Sequence, residues 1–421
     1  MALLLGAAWV GCRRGKTAAI TSDPTPPDAR IHDVSPRSTA PSLALLHGQV
    51  IDLKTQSLLS GLEPDTPMRE ATQLGGVELA YLVNRRLELN AYDMRSGKRR
   101  WSLPKTGCAL LAGIQAGALC ANGASVVVFD ATSGAPRTLT STVGAGVTQL
   151  LPIALGARFA VARDDRSVTF FDGVTLAELG RATLPFVAFG FRQGLEETEQ
   201  GVCGAVADPD LILVCLESSG ALRFTKTIPL RKPTDPSSTT FLVRQLDRRF
   251  VVASTMSSWS SSVTRGVVVR LDDGAEVARI EEEIAAAVTA DDGALDGLLV
   301  TQPPLRGVRL FEASGALRWT SSASLQEAAS AVSIGDALIV GTFHRNTSGA
   351  DLRAFDRSTG ASRWHGDVSL LPIAHSRYHN DVRLTVAFGH VVMRGEEASQ
   401  SYLEIFAPSD GTRKLSELRP L

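Results

Sequence analysis

The 421-residue sequence predicts an all-β protein folded as a β-propeller, most simply with eight four-stranded blades. One five-residue turn recurs along the chain, opening with a carboxylate and closing with glycine, as in Asp93–Gly97, Asp130–Gly134 and Asp356–Gly360. The copies stand about 45 residues apart, which is the length of one blade. Runs rich in Val, Leu, Ile and Phe precede the turns, and such runs are typical of strands buried on both faces.

The last residue of the turn can be aligned at eight positions: Gly97, Gly134, Leu176, Gly220, Gly274, Gly315, Gly360 and Gly411. Asp, Ser and Thr side chains satisfy the backbone amides of such a turn, and glycine accepts its positive φ. Four copies continue with arginine and an aromatic residue: Arg100–Trp101, Arg223–Phe224, Arg318–Trp319 and Arg363–Trp364. Because each aromatic residue has the same register on the outgoing strand, we expect it to pack between blades.

The D-x-x-[ST]-G turn and the G-x-x-x-W hairpin resemble the repeat of quinoprotein-type (pyrroloquinoline-quinone-like) β-propellers, over roughly residues 45 to 421. The same repeat type occurs in the propeller lipoproteins of the outer-membrane β-barrel assembly machinery, so the resemblance implies eight blades. An early segment, 48–55, resembles a degenerate copy without the turn glycine. We expect it to supply the strand that closes the ring against the C-terminal blade, since closure removes exposed sheet edges.

The chain begins with an apolar stretch that ends at Cys12. It is too short to span a bilayer, and it resembles the lipobox of bacterial lipoproteins, in which the cysteine thiol is acylated after cleavage. It predicts a signal segment at residues 1–12 with lipidation of Cys12, a disordered Pro/Ser/Thr-rich tether at 13–42, and the propeller at 43–421. The alternative is a chance apolar N-terminus on a cytosolic protein.

The other four cysteines form two pairs with the same spacing of 12 residues, Cys108/Cys120 and Cys203/Cys215. Each pair brackets a predicted hairpin, and facing strands place Cα atoms about 5.5 Å apart, within disulfide range. We predict two disulfides within blades, and hence an oxidising compartment. The alternatives are buried thiols that pack as small apolar groups and a zinc site, although no histidine or C-x-x-C stands at ligand spacing.

Composition and missing motifs exclude several classes of function. The chain carries 43 basic and 44 acidic residues, with a net charge of −1 and no basic stripe, so we expect no nucleic-acid partner. No G-x-S-x-G elbow and no Walker loop occurs. Quinoprotein dehydrogenases hold their cofactor against a vicinal disulfide, and this chain has no adjacent cysteines. We therefore predict no catalytic residue, metal site or cofactor.

Two segments are candidate partner-binding loops. The segment 375–381 concentrates polar side chains, among them His375, Tyr378 and His379, and predicts a binding surface, a metal site or a solvated blade loop. Trp259 stands alone among serines in the longest interval between turns. An exposed tryptophan is typical of interface hot spots, and the alternative is a mobile hairpin tip with Trp259 tucked against its own blade.

These features favour a non-enzymatic, monomeric scaffold on the periplasmic side of a bacterial envelope, anchored to the outer rather than the inner membrane. Its expected partners are envelope proteins, and the repeat resemblance extends the hypothesis to assistance of outer-membrane protein assembly. The alternatives are a pyrroloquinoline-quinone-dependent dehydrogenase and a propeller that senses a ligand or carbohydrate.

Overall fold

The structure is a computed structural model that describes most of the chain beyond residue 41. The described residues are 42–46, 48–62, 69–73, 78–140, 145–189, 194–207, 210–231, 240–246, 248–256, 265–282, 284–301, 307–323, 325, 328–343, 350–367, 381–397 and 400–420. In these ranges all regular structure is β, and no helix long and apolar enough to cross a membrane is found.

The described strands form nine antiparallel units, called sheets 1 to 9 in chain order. Within each sheet, strands that are consecutive in sequence pair with each other. Sheet 1 has three strands: β1 (Leu43–Leu46), β2 (Gln49–Asp52) and β3 (Ser57–Gly61). Sheet 2 comprises β4 (Arg69–Gln73), β5 (Leu79–Val83), β6 (Leu89–Asp93) and β7 (Arg99–Leu103). Sheet 3 comprises β8 (Leu110–Ile114), β9 (Gly117–Asn122), β10 (Ser125–Asp130) and β11 (Pro136–Thr140). Sheet 4 comprises β12 (Val147–Ile153), β13 (Arg158–Arg163), β14 (Ser167–Asp172) and β15 (Glu178–Thr183).

The second half of the chain continues the pattern with five more four-stranded units. Sheet 5 comprises β16 (Leu195–Thr198), β17 (Gly201–Ala207), β18 (Leu211–Leu216) and β19 (Leu222–Ile228). Sheet 6 comprises β20 (Thr240–Gln245), β21 (Phe250–Met256), β22 (Arg265–Arg270) and β23 (Glu276–Ile280). Sheet 7 comprises β24 (Ile284–Thr289), β25 (Leu295–Thr301), β26 (Val308–Phe311) and β27 (Leu317–Ser321). Sheet 8 comprises β28 (Ala328–Ile334), β29 (Ala337–Phe343), β30 (Ala350–Asp356) and β31 (Ser362–Asp367). Sheet 9 comprises β32 (Asp381–Ala387), β33 (His390–Glu397), β34 (Gln400–Phe406) and β35 (Arg413–Pro420).

The core consists of apolar clusters between successive sheets, and the series of clusters is circular. Each sheet packs one face on the preceding sheet and the other on the following one. The last sheet then packs on the first, where Leu403 and Ile405 of β34 meet Ile51 of β2. Strands buried on both faces need apolar side chains at consecutive positions, which explains the continuous Val/Leu/Ile runs of the sequence.

The first strands of the sheets surround the central axis of this circle. The first strands of sheets 7 and 8, β24 and β28, pair in parallel through Val288–Ala331 and Thr289–Val332, which joins the two sheets along their inner edges. The first strands of sheets 2 to 5 also approach one another in sequence order. The fourth strands therefore lie at the periphery, where their side chains are mostly exposed.

The recurring aromatic residue covers the turn glycine of the next sheet. The ring of Trp319 in sheet 7 lies over Gly360 in sheet 8, and its Nε1 donates a hydrogen bond to the Arg357 carbonyl at 3.0 Å. Trp101 and Trp364 stand in the same relation to the next turn, with bonds to the carbonyls of Ala131 and Pro408. The prediction that these aromatic residues pack between blades is confirmed, and the contact explains why glycine and aromatic recur together.

Replacement of Gly360 with alanine is expected to lower the free energy of unfolding by about 2 kcal/mol. Gly360 has a φ of +72°, and an added Cβ would lie 2.5 Å from Cε3 of Trp319. Gly335 is a matched control, because its φ is +58° but an added Cβ meets no heavy atom within 4 Å. In denaturant unfolding, the midpoint of Gly360→Ala should be clearly lower than that of Gly335→Ala. Equal midpoints would show that the tryptophan contact adds nothing to the backbone cost.

The early segment 48–55 does not add a strand to the C-terminal sheet, which has four strands of its own. It lies in β2 and the following turn of sheet 1, whose side chains pack between sheets 9 and 2. The turn still follows the repeat, because Asp52 Oδ1 accepts the Lys54 amide at 2.8 Å and Gln56 takes the glycine position with φ of +56°. The expected closing strand is thus part of a separate three-stranded sheet, since side-chain packing rather than backbone pairing joins it to sheet 9.

Candidate functional site

Antiparallel strands joined in sequence order place the turns after the first and third strands at one end of each four-stranded sheet, and the turn after β2 is the equivalent turn in sheet 1. We call this end of the molecule the turn face. All the recurring carboxylate turns lie there, and Asp93 is typical of them. Its Oδ1 accepts hydrogen bonds from the Ser96 amide and hydroxyl, both at 2.9 Å, and these bonds lower the pKa of Asp93. The Asp93 carboxylate is therefore occupied by its own turn.

An exposed apolar pair, Leu155 and Val174, stands on the turn face of sheet 4, and we call it the apolar platform. The two side chains are 56% and 55% exposed, the largest values among the exposed large apolar residues of the described chain. Ala154 and Leu155 both have positive φ, +50° and +54°. The left-handed region costs a non-glycine residue about 1–2 kcal/mol, so the fold holds Leu155 outward against a backbone penalty.

Backbone hydrogen bonds fix the turns that carry this platform. Within sheet 4, the Gly173 amide donates to the Ala157 carbonyl at 2.8 Å. From the first turn of sheet 3, the amides of Gln115 and Ala116 donate to the carbonyls of Gly156 and Gly173, at 3.0 and 2.8 Å. The platform therefore belongs to a connected set of three turns from two sheets. A binding surface held in this way loses little conformational entropy when it meets a partner.

An arginine-rich cavity opens on the same face between sheets 5 and 6, with a volume of about 180 Å³. It is lined on the side of sheet 5 by Thr198 of β16 and by Arg223 near the start of β19. The walls on the side of sheet 6 come from its first turn and from the turn after β22, and they include Phe250 and Leu271. The cavity thus combines cationic and apolar walls, as is usual for sites that take small organic ions.

Glu196 lies on β16, the first strand of sheet 5. Burial among the surrounding protein atoms raises the pKa of this carboxyl group, and the charge of Arg383 opposes the rise. Arg383 belongs to β32, the first strand of sheet 9. In the described residues no group of three or more His, Cys, Asp or Glu side chains is placed to hold a metal ion.

The two disulfides predicted from cysteine spacing are present. Cys108 and Cys120 join across the β8–β9 hairpin with their Cα atoms 5.3 Å apart. Cys203 and Cys215 are direct partners in the β17–β18 register, with a Cα separation of 4.1 Å. All four side chains are at least 95% buried, so both disulfides are structural parts of the inter-sheet cores.

The other sequence-predicted site residues lie outside the described residues. They are Cys12, Trp259, His375, Tyr378 and His379. Sequence reasoning missed the apolar platform, because Gly156 marks a turn after β12 but does not show that Leu155 also takes a positive φ and stays exposed. It also missed the cavity, which forms only where sheets 5 and 6 pack together.

No family model matches the chain, and no curated protein does. Among solved structures, a eukaryotic initiation factor is 10% identical with a TM-score of 0.56, covering 88% of this chain and 93% of that one. The dihydro-heme d1 dehydrogenase NirN, a propeller protein solved in complex with DHE, is 13% identical with a TM-score of 0.50, covering 95% and 78%.

BamB from Moraxella catarrhalis is 14% identical with a TM-score of 0.40, covering 95% of this chain and 100% of that one. At identities of 10% and 13%, the likeness to the other two structures concerns the fold alone. This likeness and the circular series of antiparallel sheets together show the architecture. The chain is an all-β protein with a β-propeller fold.

Proposed function

We propose that this protein is a non-enzymatic scaffold that binds other proteins through its turn face. The observation that carries the proposal is the apolar platform, in which Leu155 is held in solvent by a backbone conformation that disfavours it. Solvent-exposed apolar side chains on a pre-ordered backbone suit a protein contact, because burial of each contributes about 1.5–3 kcal/mol. The occupant we propose is an apolar protein surface.

The proposed location is the periplasmic side of a bacterial envelope. The two buried disulfides support an oxidising compartment, since such bonds do not persist in the cytosol. The resemblance of the N-terminal stretch to a lipobox supports a lipid anchor at Cys12, with the outer membrane as the proposed site. The resemblance of the repeat to that of propeller lipoproteins in outer-membrane barrel assembly extends the proposal to assistance of that process.

We further propose a monomeric ring in which the eight four-stranded sheets are blades and sheet 1 is a shorter ninth one. The support is the circular series of apolar clusters, in which sheet 1 occupies a place equivalent to the others. The eight sequence anchors correspond to the eight four-stranded sheets, and the degenerate copy corresponds to sheet 1.

Replacement of both Leu155 and Val174 with serine is expected to reduce partner capture at least about tenfold. The measurement is quantitative affinity capture after cross-linking in native envelopes, with the tagged full-length protein. Leu317→Ser is the matched control, because Leu317 is also exposed, at 52%, but lies on the peripheral strand β27. Undiminished capture by the double variant, or equal loss in the control, would contradict the proposal.

A further inference from the structure

One kind of hydrogen bond joins the first turns of neighbouring sheets on the turn face. Its donor is the backbone amide of the residue that follows the first strand of a sheet. From sheet 3, the Gln115 amide donates to the Gly156 carbonyl in the first turn of sheet 4, at 3.0 Å. From sheet 5, the Glu199 amide donates to the Arg248 carbonyl in the first turn of sheet 6, at 3.2 Å. In both links the acceptor is a backbone carbonyl, which every residue provides.

The link from sheet 4 to sheet 5 has the same donor position but a side chain as acceptor. The residue that follows β12 is Ala154, and its amide donates to Oε1 of Glu197 at 2.9 Å. Glu197 belongs to β16, the first strand of sheet 5. Of these three links, the one from sheet 4 therefore depends on the identity of a side chain, and a substitution at position 197 removes its acceptor.

The amide bound by Glu197 belongs to the turn that carries the apolar platform. Ala154 and Leu155 have φ of +50° and +54°, in the left-handed region that side chains disfavour. Two hydrogen bonds of 3.1 Å between backbone groups of residues 153–157 close this turn. The bond to Glu197 fixes its first residue from outside, directly before Leu155. The carboxylate thus supports the backbone conformation that holds Leu155 in solvent.

The Glu197 carboxylate is itself held by a second partner. Its Oε2 lies 2.9 Å from Nη2 of Arg248, in the first turn of sheet 6. The Glu197 side chain is 23% exposed, so the surrounding protein shields this carboxylate from much of the solvent. A hydrogen bond to an ionised acceptor is stronger than one between neutral groups. One carboxylate therefore connects sheets 4, 5 and 6 beside the platform.

We infer that Glu197 is the positioning residue of the apolar platform. By accepting the Ala154 amide, its carboxylate keeps the turn in the conformation that presents Leu155 to a partner. Without this acceptor the turn gains other backbone conformations, and a partner must restrict them again at a cost in entropy. The effect on binding rests on the proposed function, whereas the effect on the turn is independent of it.

Amide hydrogen exchange of the full-length protein tests the effect on the turn. Glu197→Ala should accelerate exchange of the Ala154 amide at least about tenfold, measured from overlapping peptides that span 150–158. Glu197→Gln retains a side-chain oxygen that can accept this amide. We therefore expect slower exchange in Glu197→Gln than in Glu197→Ala, a partial rescue that loss of side-chain volume alone does not predict.

Glu199→Ala is the matched control. Glu199 also lies beside an arginine, with 3.8 Å between its carboxylate and Nε of Arg249, and its side chain is 60% exposed. The substitution removes the same charge from the same chain segment, but Glu199 contributes its backbone amide to the links between sheets. Exchange of the Ala154 amide should therefore stay at the wild-type rate. Thermal unfolding of all three variants establishes that they are folded.

Affinity capture from native envelopes tests the effect on binding, under the conditions used for the Leu155/Val174 double variant. Glu197→Ala should reduce partner capture at least about threefold, and Glu197→Gln should reduce it less. Glu199→Ala should leave capture unchanged. Faster exchange of the Ala154 amide together with reduced capture supports the inference.

Three results would overturn the inference. The first is exchange of the Ala154 amide at the wild-type rate in Glu197→Ala, and the second is equal acceleration in Glu199→Ala. The third is full capture by Glu197→Ala when the Leu155/Val174 double variant has lost capture. If the double variant itself retains full capture, the proposed function fails, and the exchange rates alone then decide whether Glu197 fixes the turn.

Discussion

Replacement of all four paired cysteines with alanine is expected to lower the free energy of unfolding by about 3 kcal/mol for each disulfide removed. Each bond closes a loop between residues 12 apart in sequence, and chain-entropy estimates for loops of this length give that value. The measurement is denaturant unfolding of the quadruple variant against the wild type. Variants that remove one pair at a time should each account for about half of the loss.

Mass spectrometry of the unreduced wild type provides the matching chemical readout. Four cysteines in two disulfides lower the mass by four hydrogens, and peptide mapping should join Cys108 to Cys120 and Cys203 to Cys215. Free thiols at these four positions would contradict the pairing and remove the support that it gives to the proposed location. An alanine variant as stable as the wild type would contradict the stabilisation.

Replacement of Asp296 with alanine is expected to lower the free energy of unfolding by about 3 kcal/mol. The Asp296 side chain is 5% exposed, and it accepts hydrogen bonds from Arg357 Nη2 at 2.6 Å and Arg357 Nε at 2.9 Å. It also lies 3.3 Å from Arg318 Nη2. The carboxylate thus joins sheet 7 to sheet 8, and its removal deprives the guanidinium groups of Arg357 and Arg318 of this ion-pair partner.

The same carboxylate predicts a pH dependence. Burial raises the pKa of Asp296, but hydrogen bonds from Arg357 and Arg318 outweigh burial, and the net result is a lowered pKa. A lowered folded-state pKa contributes stability above the unfolded value, about 3.9, and that contribution is lost as the pH falls through the folded value. The stability difference between wild type and Asp296→Asn should therefore be constant near neutral pH and shrink below about pH 4.

Asp336→Ala is the control for the first experiment and Asp336→Asn for the second. Asp336 also pairs with an arginine, Arg363 at 2.6 Å, but its side chain is 84% exposed and solvent screens the interaction. We expect a much smaller change than for Asp296. Equal effects of the two substitutions would show that burial between the sheets does not strengthen the Asp296 pairs.

The sequence predicted the parts of the fold that local chemistry determines. The aspartate turns, the anchor positions and the aromatic contact are short-range patterns, and the structure confirms them, including Leu176 with φ of +65° at a glycine position. The disulfides were also predictable, because equal spacing around two hairpins implies facing strands. The sequence placed segment 48–55 against the C-terminal sheet, where Ile51 packs on Leu403, but it did not predict that the segment belongs to a separate three-stranded sheet.

The candidate sites were harder to predict for the same reason. The platform requires that Leu155 and Val174, from two different turns, lie on one surface, and the sequence does not show which side chains of a turn stay exposed. The cavity depends on a contact of Arg223 with the Asp272 carbonyl in the neighbouring sheet. Such a contact follows from the packing of the two sheets and is not visible in the sequence. Sequence reasoning favoured aromatic and histidine residues in long loops instead, and these lie outside the described residues.

The contact between the first and last sheets determines when the chain can finish folding. Arg394 of β33 donates a hydrogen bond to the Leu45 carbonyl of β1 at 3.0 Å, across 349 positions of sequence. During synthesis, the apolar side of sheet 1 that carries Ile51 stays exposed until the C-terminal strands emerge and cover it. Nascent chains that expose apolar surface in this way are prone to aggregate. Safe maturation would then require either rapid delivery of the C-terminal end or a holding factor that shields this surface meanwhile.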